Sequence, residues 1–232
     1  MDTEPIQDAH WVLVPGTLCT GAVFDGMLDH LGVPRARRHV VRLRAPGVDD
    51  YADVLSKVPG DSVICGFSLG AIVAAHLADR LSAARLILFA VTPHPDDPAR
   101  AGDRHAFART VAASGGAAAL APGLSGLAGP DPEAARRIIL DMAEVAAGDI
   151  AAQTELAMGR PGAARALSAC GLPLWVLTGS DDRQTPPKVG REAAGYAPKG
   201  AFRLLDGLGH YALLEDPEAC AAALLDLEGT AR

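Results

Sequence analysis

The stretch Gly66-Phe67-Ser68-Leu69-Gly70 stands between an apolar run, SVIC (62–65), and a series of small, helix-favouring residues that begins at Leu69. A serine on a sharp strand-to-helix turn projects clear of its neighbours and can serve as a nucleophile. Glycines two positions before and after it remove the side chains that would collide there. At the first turn of the following helix the N–H of Leu69 lacks an intrahelical acceptor, and the helix dipole favours developing negative charge. The bare pattern is weak in a chain with 25 glycines, and Ser125 in GLSGL nearly repeats it. Its weight comes from the strand that enters and the helix that leaves.

A serine hydroxyl needs a base, and the base needs an orienting acid. Of seven histidines, His210 is the best placed, because the apolar run FRLL (202–205) leads into the flexible loop DGLGH. His76 falls inside the helix after the serine and suits packing. His10, His30 and His39 belong to the approach to the first strand, a helix end and the second strand, while His94 and His105 begin a separate helical region. The acid is expected after LWVLT (174–178), where Asp182 is preferred, with Asp181 in reserve and Asp206 third, closer to a brace for the His210 loop. The order Ser68, Asp182, His210 puts each group at the C-terminal end of a strand, where open parallel sheets build their sites.

The elements that must hold these groups alternate. Short apolar runs at WVLV (11–14), VVRL (40–43), SVIC (62–65), RLILFAV (85–91), LWVLT and FRLL lack the polar alternation of a half-solvated sheet, so they read as parallel strands covered on both faces. Helical stretches lie between them. Thr185 is a candidate cap ahead of Pro186, and Asp216 a cap with Pro217 in the first turn. This predicts an α/β fold, a doubly wound, mostly parallel sheet of about six strands. The alternation breaks once. Residues 94–168 carry only helical spacing and a Gly/Ala-rich connector, which reads as a mobile link in a helical insertion. The core would then comprise 1–93 and 169–232.

Composition narrows the function. With 49% hydrophobic residues, 21% charged, 4% aromatic and a net charge of -7, the chain lacks the basic footprint and stacking platforms of a nucleic-acid binder. The acidic start, MDTEPIQDAHW, has no apolar leader run, and no apolar stretch is long enough to span a membrane. Cys19, Cys65, Cys170 and Cys220 are scattered without metal-ligand spacing and read as buried small hydrophobes in a reducing cytoplasm.

Taken together, the elbow GFSLG, the acid loop GSDDRQTPP and the segment GLGHYALLEDPE resemble the α/β-hydrolase superfamily over nearly the whole chain. The resemblance implies that the loop VPGTLCTGAVFD supplies an oxyanion-hole N–H from Thr17, paired with that of Leu69. Pro15 departs from the pattern, standing where the family usually has histidine. The first strand begins too early for the usual N-terminal hairpin, so a trimmed sheet is expected. The insertion stands where such enzymes carry a cap. Its Phe107, Leu120, Leu124, Leu127, Met142, Leu156 and Met158, with Leu18 and Tyr211 from the core, could line an apolar pocket; the cap residues could equally form the insertion's own core. Arg160 could bind a substrate anion or pair with a cap carboxylate. The implied activity is hydrolysis of a carboxylic ester or thioester with a small, largely apolar acyl group by a monomer or homodimer, without metal or organic cofactor. Lactone opening, carbon–carbon hydrolysis and cofactor-free perhydrolysis use the same groups, and a non-catalytic binding protein on this scaffold is the alternative of another class.

Overall fold

Runs of Val, Ile and Leu with no polar face form the middle of the sheet in the computed structural model, which describes residues 5–231. The strands are β1 (Trp11–Val14), β2 (Arg38–Val40), β3 (Val63–Phe67), β4 (Arg85–Phe89), β5 (Leu174–Gly179) and β6 (Gly200–Leu205). All pairings are parallel, in the order β2-β1-β3-β4-β5-β6. Every residue of β1, β3, β4 and β5 is buried, whereas the edge strands β2 and β6 are partly exposed.

Eleven helices are described: α1 (Ala22–His30), α2 (Ala52–Ser56), α3 (Leu69–His76), α4 (Ala101–Ser114), α5 (Gly116–Leu120), α6 (Pro132–Ala146), α7 (Ile150–Gly159), α8 (Ala164–Ser168), α9 (Pro187–Tyr196), α10 (Ala212–Glu215) and α11 (Pro217–Ala231). Successive strand side chains point to opposite faces. Trp11, Leu13, Cys65, Phe67, Ile87 and Phe89 therefore pack beneath α1, α10 and α11. Val12, Val14, Ile64, Leu86, Leu88 and Val176 pack beneath α3, α8 and α9 on the other side. The sheet is doubly wound, as the alternating pattern requires.

The structure moves two elements. The second strand lies at 38–40 rather than 40–43, although Val41 N–H still bonds the Leu13 carbonyl. Leu43 leaves the sheet edge and becomes buried in the core beneath α2 and α3. The Gly/Ala-rich connector contains a formed helix, α5. A Cβ on Gly116 would run into the Ala143 carbonyl, so α5 lies close against α6, and Glu144 accepts the Ala117 N–H at 3.1 Å. Asp216 does cap α11, accepting the Ala219 N–H at 2.9 Å, with Pro217 as its first residue.

At the end of α3, buried His76 ties the serine-bearing helix to the chain beyond α7. Its Nδ1 lies 2.7 Å from the Ile72 carbonyl and its Nε2 3.0 Å from the Gly162 nitrogen. Because Nε2 must accept that N–H, the ring proton sits on Nδ1 and the imidazole is neutral. Burial depresses its pKa below the ordinary 6.5; the Ile72 hydrogen bond opposes this and the Arg160 charge adds to it. A depressed value means that the unfolded chain binds the proton more readily. This contribution to stability is complete above about pH 6.5 and is lost as pH falls from there through the folded value. Thermal unfolding followed from pH 8 to pH 5 should show a falling Tm, and His76→Gln should flatten that slope. An unchanged slope in the variant would show that His76 does not carry the proton uptake.

Candidate active site

Ser68 sits where β3 ends and α3 begins, with φ 50° and ψ −117°. An L-residue rarely takes positive φ because its Cβ crowds the backbone. The local sequence makes room. A Cβ on Gly66 would lie 2.5 Å from the Ala71 Cα, and one on Gly70 would collide with the Val14 carbonyl. A Cβ on Gly16 would stand 3.0 Å from that of Ser68, so the Pro15–Thr17 loop lies directly against the serine. The Ser68 N–H bonds the Phe89 carbonyl at 3.0 Å, and its own carbonyl accepts the Ile72 N–H at 2.9 Å.

His210, from the loop after β6, places Nε2 3.1 Å from Ser68 Oγ and Nδ1 2.9 Å from Asp182 Oδ2. The imidazole is packed by Phe67, 5.3 Å away between ring centroids, and meets Tyr211 edge-on at 5.5 Å. Asp182, 3% exposed in the loop after β5, fills its remaining acceptor positions locally. Thr185 Oγ1 donates to Oδ2 at 2.6 Å, and the N–H groups of Gln184 and Thr185 donate to Oδ1 at 2.8 and 2.9 Å. Burial pushes the Asp182 carboxyl up, but the His210 and Thr185 hydrogen bonds with the His210 charge outweigh it and hold it below the ordinary carboxylate value. Asp181 and Asp206 are exposed and take no such position. Thr185 is not the cap of α9, which Pro186 precedes without a side-chain cap; its hydroxyl is spent on Asp182.

These groups open on a cavity of about 540 Å³. Thr17, Leu69, Leu18, Phe107 and Tyr211 all line it, as does Leu120. Leu124 and Met142, expected in the lining, are instead in the core beneath α1 and α10, because the buried stripe of α6 (Ala135, Ile139, Met142) faces that way. Met158 is half-buried on α7 away from the lining, Leu127 packs on the α1-side core and Leu156 lies in the core beneath α3. Part of its wall is charged, which an apolar reading omits: Asp96, Asp97, Arg100, Asp103, Arg104 and Arg160 also line it. Arg160 is committed to Asp96 at 2.8 Å and to the carbonyls of His94 and Ala157, which makes it a structural cation. Asp96 also takes Arg104 through Nε and Nη2, both at 2.5 Å. Its burial is outweighed by the two guanidinium groups, which hold its carboxyl low.

The other histidines lie apart. His10 and His39 stack on each other at 5.8 Å, while exposed His94 and His105 meet Glu192 and Glu155. His30 is exposed at the end of α1. All four cysteines are buried and free; burial pushes the Cys19 thiol up to about 12. Among the described residues no helix is long and apolar enough to cross a membrane.

The brace for the His210 loop is not Asp206 but Glu215. This carboxylate, 2% exposed in α10, accepts the Gly209 N–H at 2.5 Å, one residue before the histidine. An acid inside the apolar stretch YALLE was its only trace in the sequence.

Such an elbow, acid loop and histidine loop on a parallel sheet define a class, and the chain belongs to the alpha/beta hydrolase family, whose model matches residues 11–223. Solved structures share the fold over almost the full length. A thermophilic esterase from Thermogutta terrifontis, solved with malate bound, is 22% identical with a TM-score of 0.79, covering 97% of this chain and 90% of that one. The enol-lactonase from Burkholderia xenovorans is 18% identical with a TM-score of 0.74, covering 98% and 94%. A bromoperoxidase from Bacillus anthracis is 16% identical with a TM-score of 0.74, covering 95% and 92%. No curated protein sequence matches the chain significantly.

Glu215→Ala leaves the partly buried Gly209 N–H without its acceptor and should cost about 1 kcal/mol of stability. It should also lower the turnover of a 4-nitrophenyl ester by loosening the His210 loop. Urea unfolding and initial rates on the purified variant check both; wild-type values in each would show the brace to be idle.

Proposed function

We propose that the protein is a serine hydrolase that transfers the acyl group of a carboxylic ester or thioester to water through an acyl-enzyme. The observation that carries this reading is the continuous line from Asp182 through His210 to Ser68 at the wall of the cavity. In the proposed reaction Ser68 Oγ attacks the carbonyl carbon while His210 Nε2 takes its proton. Asp182 keeps the Nδ1 proton in place and stabilises the imidazolium. The tetrahedral oxyanion accepts from the N–H groups of Thr17 and Leu69, each donor contributing about 3 kcal/mol to barrier lowering. Collapse breaks the bond to the alcohol or thiol, which leaves with the proton from His210. Water then gives a proton to His210 and attacks the acyl carbon, and Ser68 departs with that proton restored.

The lining supports a divided substrate. Leu18, Phe67, Leu69, Ile72, Phe107 and Tyr211 give the cavity that holds Ser68 an apolar part, which suits a small apolar acyl group, while its charged part suits a polar leaving group. The four free, buried thiols fit the reducing cytoplasm as its compartment.

Labelling with a fluorophosphonate, read by peptide mass spectrometry, should give one adduct on the Ser68 peptide and none in Ser68→Ala. Asp182→Asn should fold normally yet lower kcat by about 10⁴, since the amide favours the wrong imidazole tautomer. Near wild-type ester turnover in Ser68→Ala would sink the assignment.

A further inference from the structure

Leu18 takes φ 54°, one of three non-glycine residues with positive φ among those described. It is the third residue of a turn closed by the Cys19 N–H on the Gly16 carbonyl at 3.1 Å. Thr17, before it, has negative φ. This is the type II pattern, whose third position ordinarily takes glycine or asparagine, and in which the middle peptide is flipped relative to the commoner type I turn. Leucine at that position does not select the flip by itself. A side chain from the helical insertion bonds the flipped peptide. Gln153 of α7, 2% exposed, accepts the Leu18 N–H on Oε1 at 3.0 Å and donates from Nε2 to the Leu43 carbonyl at 3.3 Å. The base of α7 is fixed on the same edge by Asp149, which pairs with Arg42 at 2.7 Å and Arg44 at 3.5 Å. On the opposite side of the flipped peptide, the Thr17 carbonyl accepts from the Cys19 thiol at 3.3 Å.

We propose that Gln153 is a positioning residue for the oxyanion hole: by holding the Thr17–Leu18 peptide in its flipped orientation, it fixes Thr17 so that its N–H serves the developing oxyanion. Thr17 is then held from two directions. Gly16 is pressed against Ser68, and the peptide that follows Thr17 is bound to Gln153. Without the amide, the Leu18 N–H is buried with no acceptor, and rotating the peptide plane relieves both that loss and the left-handed leucine. Thr17 loses its second anchor, and small misplacements of a catalytic group are costly in rate. Pro15 gives the loop no side-chain hydrogen bond of its own, so the fixing group comes from α7, 135 residues away. Docking of α7 and completion of the hole thus become one event.

The inference rests on the hydrolase reading, so the experiment separates the two. Gln153→Met keeps the shape and removes both hydrogen bonds. Gln153→Ala serves as a second variant in case the first does not fold. Gln153→Glu keeps an acceptor for Leu18 and, when protonated, a donor for Leu43. For each, kcat and KM on 4-nitrophenyl butyrate are compared with the affinity for a trifluoromethyl ketone, which forms a tetrahedral adduct with an activated serine. Met and Ala should lower kcat about ten- to a hundredfold, less than outright loss of an oxyanion donor, with ketone affinity falling in parallel. KM should stay within about twofold, as expected when only transition-state contacts are lost. Glu should recover most of the rate. A folded Met or Ala variant with wild-type kcat and ketone affinity, while the wild type labels at Ser68, would overturn the role of Gln153 alone. A folded wild type with no phosphonate adduct at Ser68 would remove both the hydrolase reading and this one.

Discussion

The backbone of Ser68 is the constraint on which the rest of the molecule depends. A serine at positive φ costs about 1–3 kcal/mol and persists only where its surroundings over-determine it. Here the strand before it is buried and paired on both sides, with β1 and with β4. The helix after it is buried along its whole length. Three glycines from two chain segments, Gly16, Gly66 and Gly70, leave out the side chains that the turn excludes. The strain is supported by a central, fully buried strand of the sheet, so the hydroxyl is presented at the C-terminal edge without the turn relaxing.

The acid is stabilised differently. Asp182 stands in a loop, yet it is buried and accepts from His210, from the Thr185 hydroxyl and from two backbone N–H groups. Desolvation alone would favour the neutral acid; four donors reverse the balance and keep it ionised. The loop closes around its own carboxylate, so the charge that orients the imidazole also organises the turn that presents it. This explains why the adjacent Asp181, chemically identical, stays in solvent.

Parallel strands, helix order and the three polar residues were legible because they depend on local signals: apolar runs without alternation, glycines flanking a serine, and acids and histidines just past strand ends. What escaped was decided by tertiary packing. Leu124 and Met142 look like pocket residues in a one-dimensional pattern, but the rotation of α6 about its axis turns them into the core. Helical period fixes which residues share a face, not which neighbour that face meets. Thr185 looked like a helix cap because a threonine before Pro-Pro suits one, and the stronger demand of a buried carboxylate won. Gln153 and Glu215 left almost no trace, since their partners are backbone N–H and carbonyl groups, which every sequence contains. Of the charged wall only Arg160 was legible, as a partner for a cap carboxylate, which proves to be Asp96; Arg100, Asp103 and Arg104 are ordinary surface residues in the sequence until the chain folds them around the cavity.

That wall also bears on how the insertion is joined to the sheet. Asp96 lies at its entry and Arg160 at its exit, and the two are paired in a nearly dry environment. The Ala163 N–H bonds the Pro93 carbonyl at 2.7 Å, and His76 of the elbow helix takes the Gly162 N–H. Separating the two ends of the neck would leave the buried Arg160 guanidinium without its carboxylate, while Asp96 would keep Arg104; removing one partner of a buried pair costs up to about 3–5 kcal/mol. The Asp149 pairs and the Gln153 bridge hold α7 as well. A hinge at the neck is therefore the expensive way to open the cavity. The side chains of Arg100 and Asp103, exposed along the same wall, can turn without breaking any of these buried bonds. The insertion is accordingly fixed to the elbow helix at its root, by the Gly162–His76 bond and the Asp96–Arg160 pair.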